Sequence, residues 1–391
     1  MALMPRFPMR PTDERRRIFL QNWTIGLWQF LHAAVLCTLR PASNHTCCYL
    51  WSLLRKLWKL SKIWVAIMKR ALPVALAIVG LLAIAAPAPA QQFPERTVTI
   101  VVPYPAGGPT DQLARVVAER LSKKFGQNFI VENITGGATI IGTNRVAHAA
   151  PDGYTLLLHN LQIAANPTLF KTLPFDTVKD LKTVMLVNRD PLVLVGRPGL
   201  APNSLEDLIA LMKKERFKAA IPGYGATGHL TTTLFANVAG FTIDQIPYRG
   251  AAPALTDVMG GHVDVFFATP QQVQQQVATS KLKAYGVTQK AKMPEFPNAE
   301  SMVELLGPKL EVQYWQALFA PSGTPPAIVN KLNAALEDVV TDPAILKMWA
   351  DTSVAAFPKE MRSPAAGDKF LKSEIARWGK VVKDNDIHVN Q

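Results

Sequence analysis

The chain has 391 residues with 42 Lys and Arg against 29 Asp and Glu, a formal charge of +13, and three cysteines. The first 90 residues hold 12 basic and 2 acidic side chains, or +10, which leaves 30 minus 27, or +3, for residues 91–391, so nucleic-acid binding by the body of the chain loses its main support. Cys37, Cys47 and Cys48 all precede residue 91, so residues 91–391 have no disulfide framework, no thiolate zinc site and no cysteine nucleophile.

Taken in order, the chain first offers Arg16-Arg17-Ile18-Phe19-Leu20-Gln21 ahead of the apolar Trp23–Leu39, a twin-arginine-like start with no small-x-small site of its own. Arg40, Arg55, Lys56, Lys59 and Lys62 then break the apolar stretches, which argues against a membrane anchor. Met68-Lys69-Arg70, an apolar run of about 15 residues and Ala88-Pro89-Ala90 predict a secretory signal peptide over 68–90, too short for a span of about 20 residues. Cleavage is expected after Ala90 and the real start at Met68, with 1–67 a mis-assigned extension. The exported form is expected to be periplasmic and soluble, with no lipid-anchor cysteine.

What remains is 391 − 90 = 301 residues, more than one core usually serves, so two domains are expected. Strand-like and helix-like stretches alternate, which predicts an α/β fold with mostly parallel sheets flanked by helices. Thr97–Val102 reads as a buried strand, and Asp111–Phe125 as a helix with Leu113, Val116, Val117, Leu121 and Phe125 on one face. Phe129–Glu132 is a second strand, followed by a helix through Ala150. Tyr154–Leu158 is a third strand ending at His159-Asn160. After a strand at Leu192–Val195, Gly196–Gly199 breaks the pattern as a hinge would. Then come a helix over Ser204–Lys214, a strand over Phe217–Ile221 and a helix over Gly228–Ala239. Thr242–Pro247 is a strand, Pro253–Gly260 a helix, and Val263–Phe267 and Lys283–Val287 are strands. Val312–Phe319 runs back, and helices over Pro325–Val340 and Lys369–Val382 close the first domain. The expected division is 91–194 plus 316–391 for domain 1 and 195–315 for domain 2.

A strand, a Gly-rich loop and a helix recur at 97–125, 217–239 and 242–260, which points three helix N-termini from both domains at one cleft. Free N–H groups and the positive end of the helix dipole favour an anion there. The loops hold a single basic residue, Arg249, whereas a phosphate site normally carries a P-loop lysine or several arginines. A carboxylate fits better. Asp111 has two readings: an acid favoured in a helix's first turn, or an acceptor for a ligand ammonium or hydroxyl.

Enzyme signatures are thin. Gly223-Tyr-Gly225-Ala-Thr-Gly228 matches the dinucleotide fingerprint, with Asp244 about 20 residues on, but Asp244 sits near the start of its strand where the ribose-binding acid should end one. His148, His159, His229, His262 and His388 show no metal spacing, and there is no G-x-S-x-G. No catalytic residue, metal or cofactor is expected. The alternative kept open is an exported or nicotinamide-dependent enzyme using 223–228.

Six ordered motifs carry a family resemblance: Tyr104-x-x-Gly107-Gly108-x-x-Asp111, Asp152-Gly153-Tyr154-Thr155-Leu156, Gly223-x-Gly225-x-x-x-His229-Leu230, Pro247-Tyr248-Arg249-Gly250-x-x-Pro253-Ala254-Leu255, Gly261-x-Val263-Asp264 and Ala320-Pro321-x-Gly323-Thr324-Pro325. They resemble Bug-type receptors, periplasmic solute-binding proteins of tripartite tricarboxylate transporters, over 93–387. The resemblance implies a two-domain clamp similar to type II periplasmic binding proteins, closing on a small carboxylate for a membrane transporter or a sensor. It places Tyr104, Pro105, Ala106, Gly107, Gly108, Thr110 and Asp111 on one side of the ligand and Gly223, Gly225, Ala226 and Thr227 on the other. His159, Asn160, Arg249, Gly250 and Thr269, at strand ends, complete the candidate set, and a monomer is expected. Gly136-Gly137-Ala138-Thr139, Ile221 and Ala226 depart from the family pattern, and Thr227 substitutes for one lost hydroxyl.

Overall fold

The computed structural model describes residues 93–387 and Val389, with a few helical positions between Ser52 and Trp64. Those positions apart, the expected signal peptide over 68–90, its cleavage point and the extension over 1–67 lie outside the described residues.

β1 (Val98–Val102) is a β-branched, almost fully buried run whose end opens into the loop that starts α1 (Pro109–Phe125). Gly108 is an extended N-cap, and Pro109 takes a first-turn position where its missing N–H costs nothing. Gly126 ends the helix at φ 66°, in the left-handed region that glycine enters freely. Next come β2 (Phe129–Asn133), a 3-10 turn, α2 (Ile140–Ala147), β3 (Thr155–Asn160), α3 (Gln162–Leu169) and β4 (Leu181–Pro191). At Leu192 the chain passes into a second sheet built from β5 (Val193–Gly196), α4 (Leu205–Met212), β6 (Phe217–Ile221), α5 (Thr227–Ala239), β7 (Ile243–Pro247), α6 (Ala251–Met259), β8 (Val265–Ala268), α7 (Pro270–Ala278), β9 (Lys283–Val287), β10 (Glu300–Ser301) and α8 (Met302–Leu306). It returns with β11 (Gln313–Pro321) and finishes through α9 (Pro326–Thr341), α10 (Pro343–Ala350), β12 (Ala355–Ala356) and α11 (Pro364–Asp384).

The sheet orders are β12-β4-β11-β3-β1-β2 and β10-β9-β5-β8-β6-β7. Both sheets are mixed, a refinement of the mostly parallel expectation. β2-β1-β3 and β8-β6-β7 pair in parallel, as βαβ units do. β4, β11 and β5, through which the chain passes between sheets, pair antiparallel with their neighbours. β4 has no counterpart among the expected elements, because Asn188, Arg189 and Asp190 interrupt its apolar run and pairing with β11 is what makes it a strand. The passages therefore fall at Leu192 and just before Gln313, two or three residues ahead of the expected 194/195 and 315/316.

α1 buries Leu113, Ala114, Val117, Ala118 and Leu121 in a cluster with Val98, Ile100 and Val102 of β1 and Val329, Leu332 and Leu336 of α9. Each such Leu or Val is worth roughly 1.5–3 kcal/mol when fully buried. A second cluster runs from Val101 and Leu157 through Trp315 and Trp378 to Leu230, Leu234 and Phe267, so apolar packing is continuous between the two sheets. In its middle, the indole N–H groups of Trp315 and Trp378 both donate to Glu374 Oε2, at 2.9 and 3.1 Å. That pairing compensates the buried acid and ties α11 to β11.

Candidate ligand-binding cleft

Four helices begin on one cavity of about 200 Å³. Each follows its strand directly: α1 after β1, α5 after β6, α6 after β7 and α7 after β8, so the cavity lies beyond the carboxyl ends of strands from both sheets. Their first turns contribute Gly108 to Thr110, Ala226 to Gly228, Gly250 to Ala252, and Thr269 with Gln272. The fourth N-terminus was not among the three expected. Thr269-Pro270-Gln271-Gln272 is its local signature, a threonine three residues before a glutamine with Pro at the first helical position, and Gln272 Oε1 accepts from Thr269 N at 3.2 Å.

Under the first loop lies a buried polar cluster. Tyr104 Oη donates to Asn160 Oδ1 at 2.7 Å, and Asn160 Nδ2 donates to Tyr314 Oη at 2.9 Å. Tyr314 Oη and Thr110 Oγ1 share a hydrogen bond of 2.8 Å. Burial pushes both tyrosines above the ordinary phenol value, so they stay neutral. Burial also pushes His159 down to about 3, leaving a neutral ring between Thr139 Oγ1, 3.2 Å from Nε2, and the Asn160 main chain at Nδ1. His159 and Asn160, expected at the strand's end, are the last two residues of β3, held by pairing with Ala317 and Gln316 of β11.

The expected residues separate by role. Tyr104, Pro105, Ala106, Gly108, Thr110 and Asn160 line the cavity from the first sheet, and Ala226, Thr227, Arg249, Gly250 and Thr269 from the second. Thr227 is 4% exposed, and its Oγ1 is buried without a hydrogen-bond partner among the described residues. Arg249 is exposed at the rim and joins no ion pair among the described residues.

Five expected residues are not part of that lining. Asp111 accepts from Gly107 N at 2.9 Å, from Arg115 Nε and Nη2 at 2.9 and 3.0 Å, and from Asn133 Nδ2 at 2.9 Å. Burial alone would raise its pKa, but these donors outweigh burial and hold it below the ordinary carboxylate value. Its oxygens are taken, so of its two readings the structural one describes it, and Gly107 shares that role. His159 supports the polar cluster. Gly223 lines an adjoining cavity of about 530 Å³ together with Gly136 to Thr139, Tyr224 and Val389. Gly225 has φ +76°, and a Cβ there would lie 3.1 Å from both Gln162 Nε2 and Leu169 Cδ1 of α3, so it faces the first sheet's helix and not the cavity. Its N–H donates to His229 Nδ1 at 3.0 Å, and burial holds that ring neutral, pushed down to about 4.

Sequence reasoning missed Leu192, Phe266, Phe267, Gln272 and Tyr314, which also line the cavity. Only Gln272 had a local signal. Asp244 pairs with Arg216 at 3.5 Å, and its register opposite Lys218 places it at the start of β7, the end away from the 223–228 loop. The dinucleotide reading therefore has no ribose acid. Among the described residues no group of three His, Cys, Asp or Glu is placed to hold a metal.

The family model described as "Tripartite tricarboxylate transporter family receptor" matches residues 113–387. This chain belongs to that receptor family. Protein BugT of Bordetella pertussis is 35% identical over 320 residues, covering 79% of this chain and 96% of BugT. The structure of periplasmic binding protein BugD is similar at a TM-score of 0.72 and 32% identity, over 76% of this chain and 99% of BugD. MatC from Rhodopseudomonas palustris, solved with bound malate, has a TM-score of 0.70 and 32% identity over 74% of this chain and 100% of MatC. The tricarboxylate-receptor family and its structural neighbours are solute-binding receptors and not enzymes, which sets aside the enzyme reading of 223–228.

Proposed function

We propose that this receptor captures a small carboxylate between the lobes built on its two sheets, in the periplasm and as a monomer, for uptake by a tripartite transporter or for sensing. The observation that carries the reading is the convergence of four helix N-termini on one cavity with a single cation, Arg249, at its rim. Each N-terminus adds about 0.3–1 kcal/mol of attraction for an anion, so four supply about 1–4 kcal/mol besides their hydrogen bonds. That is enough to select an anion without the lysine a polyphosphate would draw. Contacts from both sheets stabilise a closed arrangement in proportion to how much better it binds than an open one. MatC, with its bound malate, supports a carboxylate as the occupant.

The test is calorimetry of the purified protein with a panel of mono-, di- and tricarboxylates that includes malate, repeated at several salt concentrations. At least one acid should bind saturably, and Arg249→Ala should bind it more weakly with a flatter salt dependence, because an exposed cation's contribution is screened. Saturable binding of uncharged solutes with none of the acids bound would overturn the reading.

A further inference from the structure

Two stretches of chain join the lobes: Leu192 between β4 and β5, and the segment that ends at Val312 before β11. One residue, Thr288, directly after β9, bonds both backbone groups of both. Its N–H donates to Leu192 O at 3.0 Å, and its carbonyl accepts from Val312 N at 3.2 Å. Its hydroxyl accepts from Leu192 N at 2.8 Å and donates to Val312 O at 2.6 Å. The direction of this relay is fixed, because an amide N–H can only donate and a carbonyl can only accept, so the single hydroxyl proton must point at Val312. Thr288 is 0% exposed, Val312 0% and Leu192 2%, so no water replaces a lost partner cheaply. Leu192 also lines the 200 Å³ cavity.

We propose that Thr288 is a positioning residue for ligand capture: it fastens the two inter-lobe passages into one pivot and holds Leu192 against the cavity. The proposal rests on the clamp reading above. A lobe rotation must change backbone torsions at both passages. With both fastened to one side chain they move together, so contact between ligand and Leu192 is transmitted to Val312 and β11. Without the hydroxyl, a buried N–H on one passage and a buried C=O on the other are left unpaired, and the two backbone bonds of Thr288 alone join the passages, so they open more easily.

The test compares Thr288→Val, which keeps the shape and the two backbone bonds but removes the hydroxyl, with Thr288→Ser, which keeps the hydroxyl. In ligand-free Thr288→Val, amide hydrogen exchange at Leu192 should rise about tenfold relative to β1. Malate should leave that variant about tenfold faster than wild type, and the drop in radius of gyration on adding malate should shrink. Thr288→Ser should restore all three to near wild type. Wild-type exchange and dissociation in Thr288→Val, or a Ser variant as impaired as Val, would overturn the proposal. Should Thr288→Val fail to fold, the wild-type protein decides: Leu192 and Val312 amides exchanging at one shared rate support the pivot, and unrelated rates overturn it. If malate does not bind the wild type, the ligand-free exchange still judges the pivot, while the failure of every acid in the panel is charged to the functional reading alone.

Discussion

Thr227 and Asp111 show how two polar residues a few ångströms from a cavity serve it differently. Thr227 lines the cavity with a buried hydroxyl that has no hydrogen-bond partner among the described residues, so a ligand oxygen gains a hydrogen bond there at no cost to existing ones. Thr227→Val should weaken carboxylate binding by about 2- to 12-fold, the worth of one hydrogen bond of about 0.5–1.5 kcal/mol, as read by calorimetry. Thermal stability without ligand should hold or rise, because a desolvated, unpaired hydroxyl is removed. A fall of several degrees would mean the hydroxyl is structural. Asp111 is the converse, with four donors and no contribution to the lining. Asp111→Asn should cost roughly 1.5–3 kcal/mol of stability at neutral pH, the range for hydrogen bonds to a charged group. Because the folded pKa lies below the ordinary value of 3.8, this stabilisation is complete above about pH 5 and is lost as pH falls through the folded value. Urea titrations from pH 7 to pH 3 should show the gap between wild type and Asp111→Asn closing only at the acid end.

At the scale of elements, the loop before α5 illustrates what a glycine is for. Gly225 was expected to let the backbone approach the ligand, but it lets α5 approach α3 in a left-handed conformation. Gly225→Ala adds strain at φ +76° and a contact of 3.1 Å with Gln162 and Leu169, and the branched Gly225→Val should be worse. Binding should fall in the order glycine, alanine, valine, with the loss appearing as a wider ligand-bound molecule in solution scattering. A valine variant with wild-type compaction and affinity would remove this element from the clamp. Two elements were legible only in part. The start of α7 was written in Thr269-Pro270-Gln271-Gln272, a local capping signal, whereas β4 was hidden because its polar end is made a strand by pairing with a segment more than a hundred residues away.

For the whole molecule, the charge split and the 68–90 pattern make a prediction independent of the cleft. N-terminal sequencing of the exported protein should begin at Gln91, and a species retaining Trp23 or Cys47 would sink it. Added Zn²⁺ or NAD should leave the melting temperature unchanged, since only a solute that binds the folded state raises it by mass action, whereas a bound carboxylate at 100 times its Kd adds about 2.7 kcal/mol.

By itself the sequence determined an α/β fold with helix starts at strand ends, because strand, Gly-rich loop and helix are written in residues adjacent along the chain, and its six ordered motifs carried the resemblance to the receptor family. It also determined that Arg249 is the cation among the loops expected to converge. Tertiary structure alone decided which of those residues reach the cavity. Leu192, Phe266 and Tyr314 arrive from strands whose neighbours are distant in sequence, and Gly107, Asp111, His159 and Gly225 are drawn behind the lining by partners that no local pattern names. The hinge belongs to the same class: nothing around Thr288 in the sequence marks it, and its four bonds exist because β9 brings it between two passages that lie 96 and 24 residues away. Local signals report what a segment can form, while a site made by two sheets meeting depends on which side chains the packing leaves facing the gap.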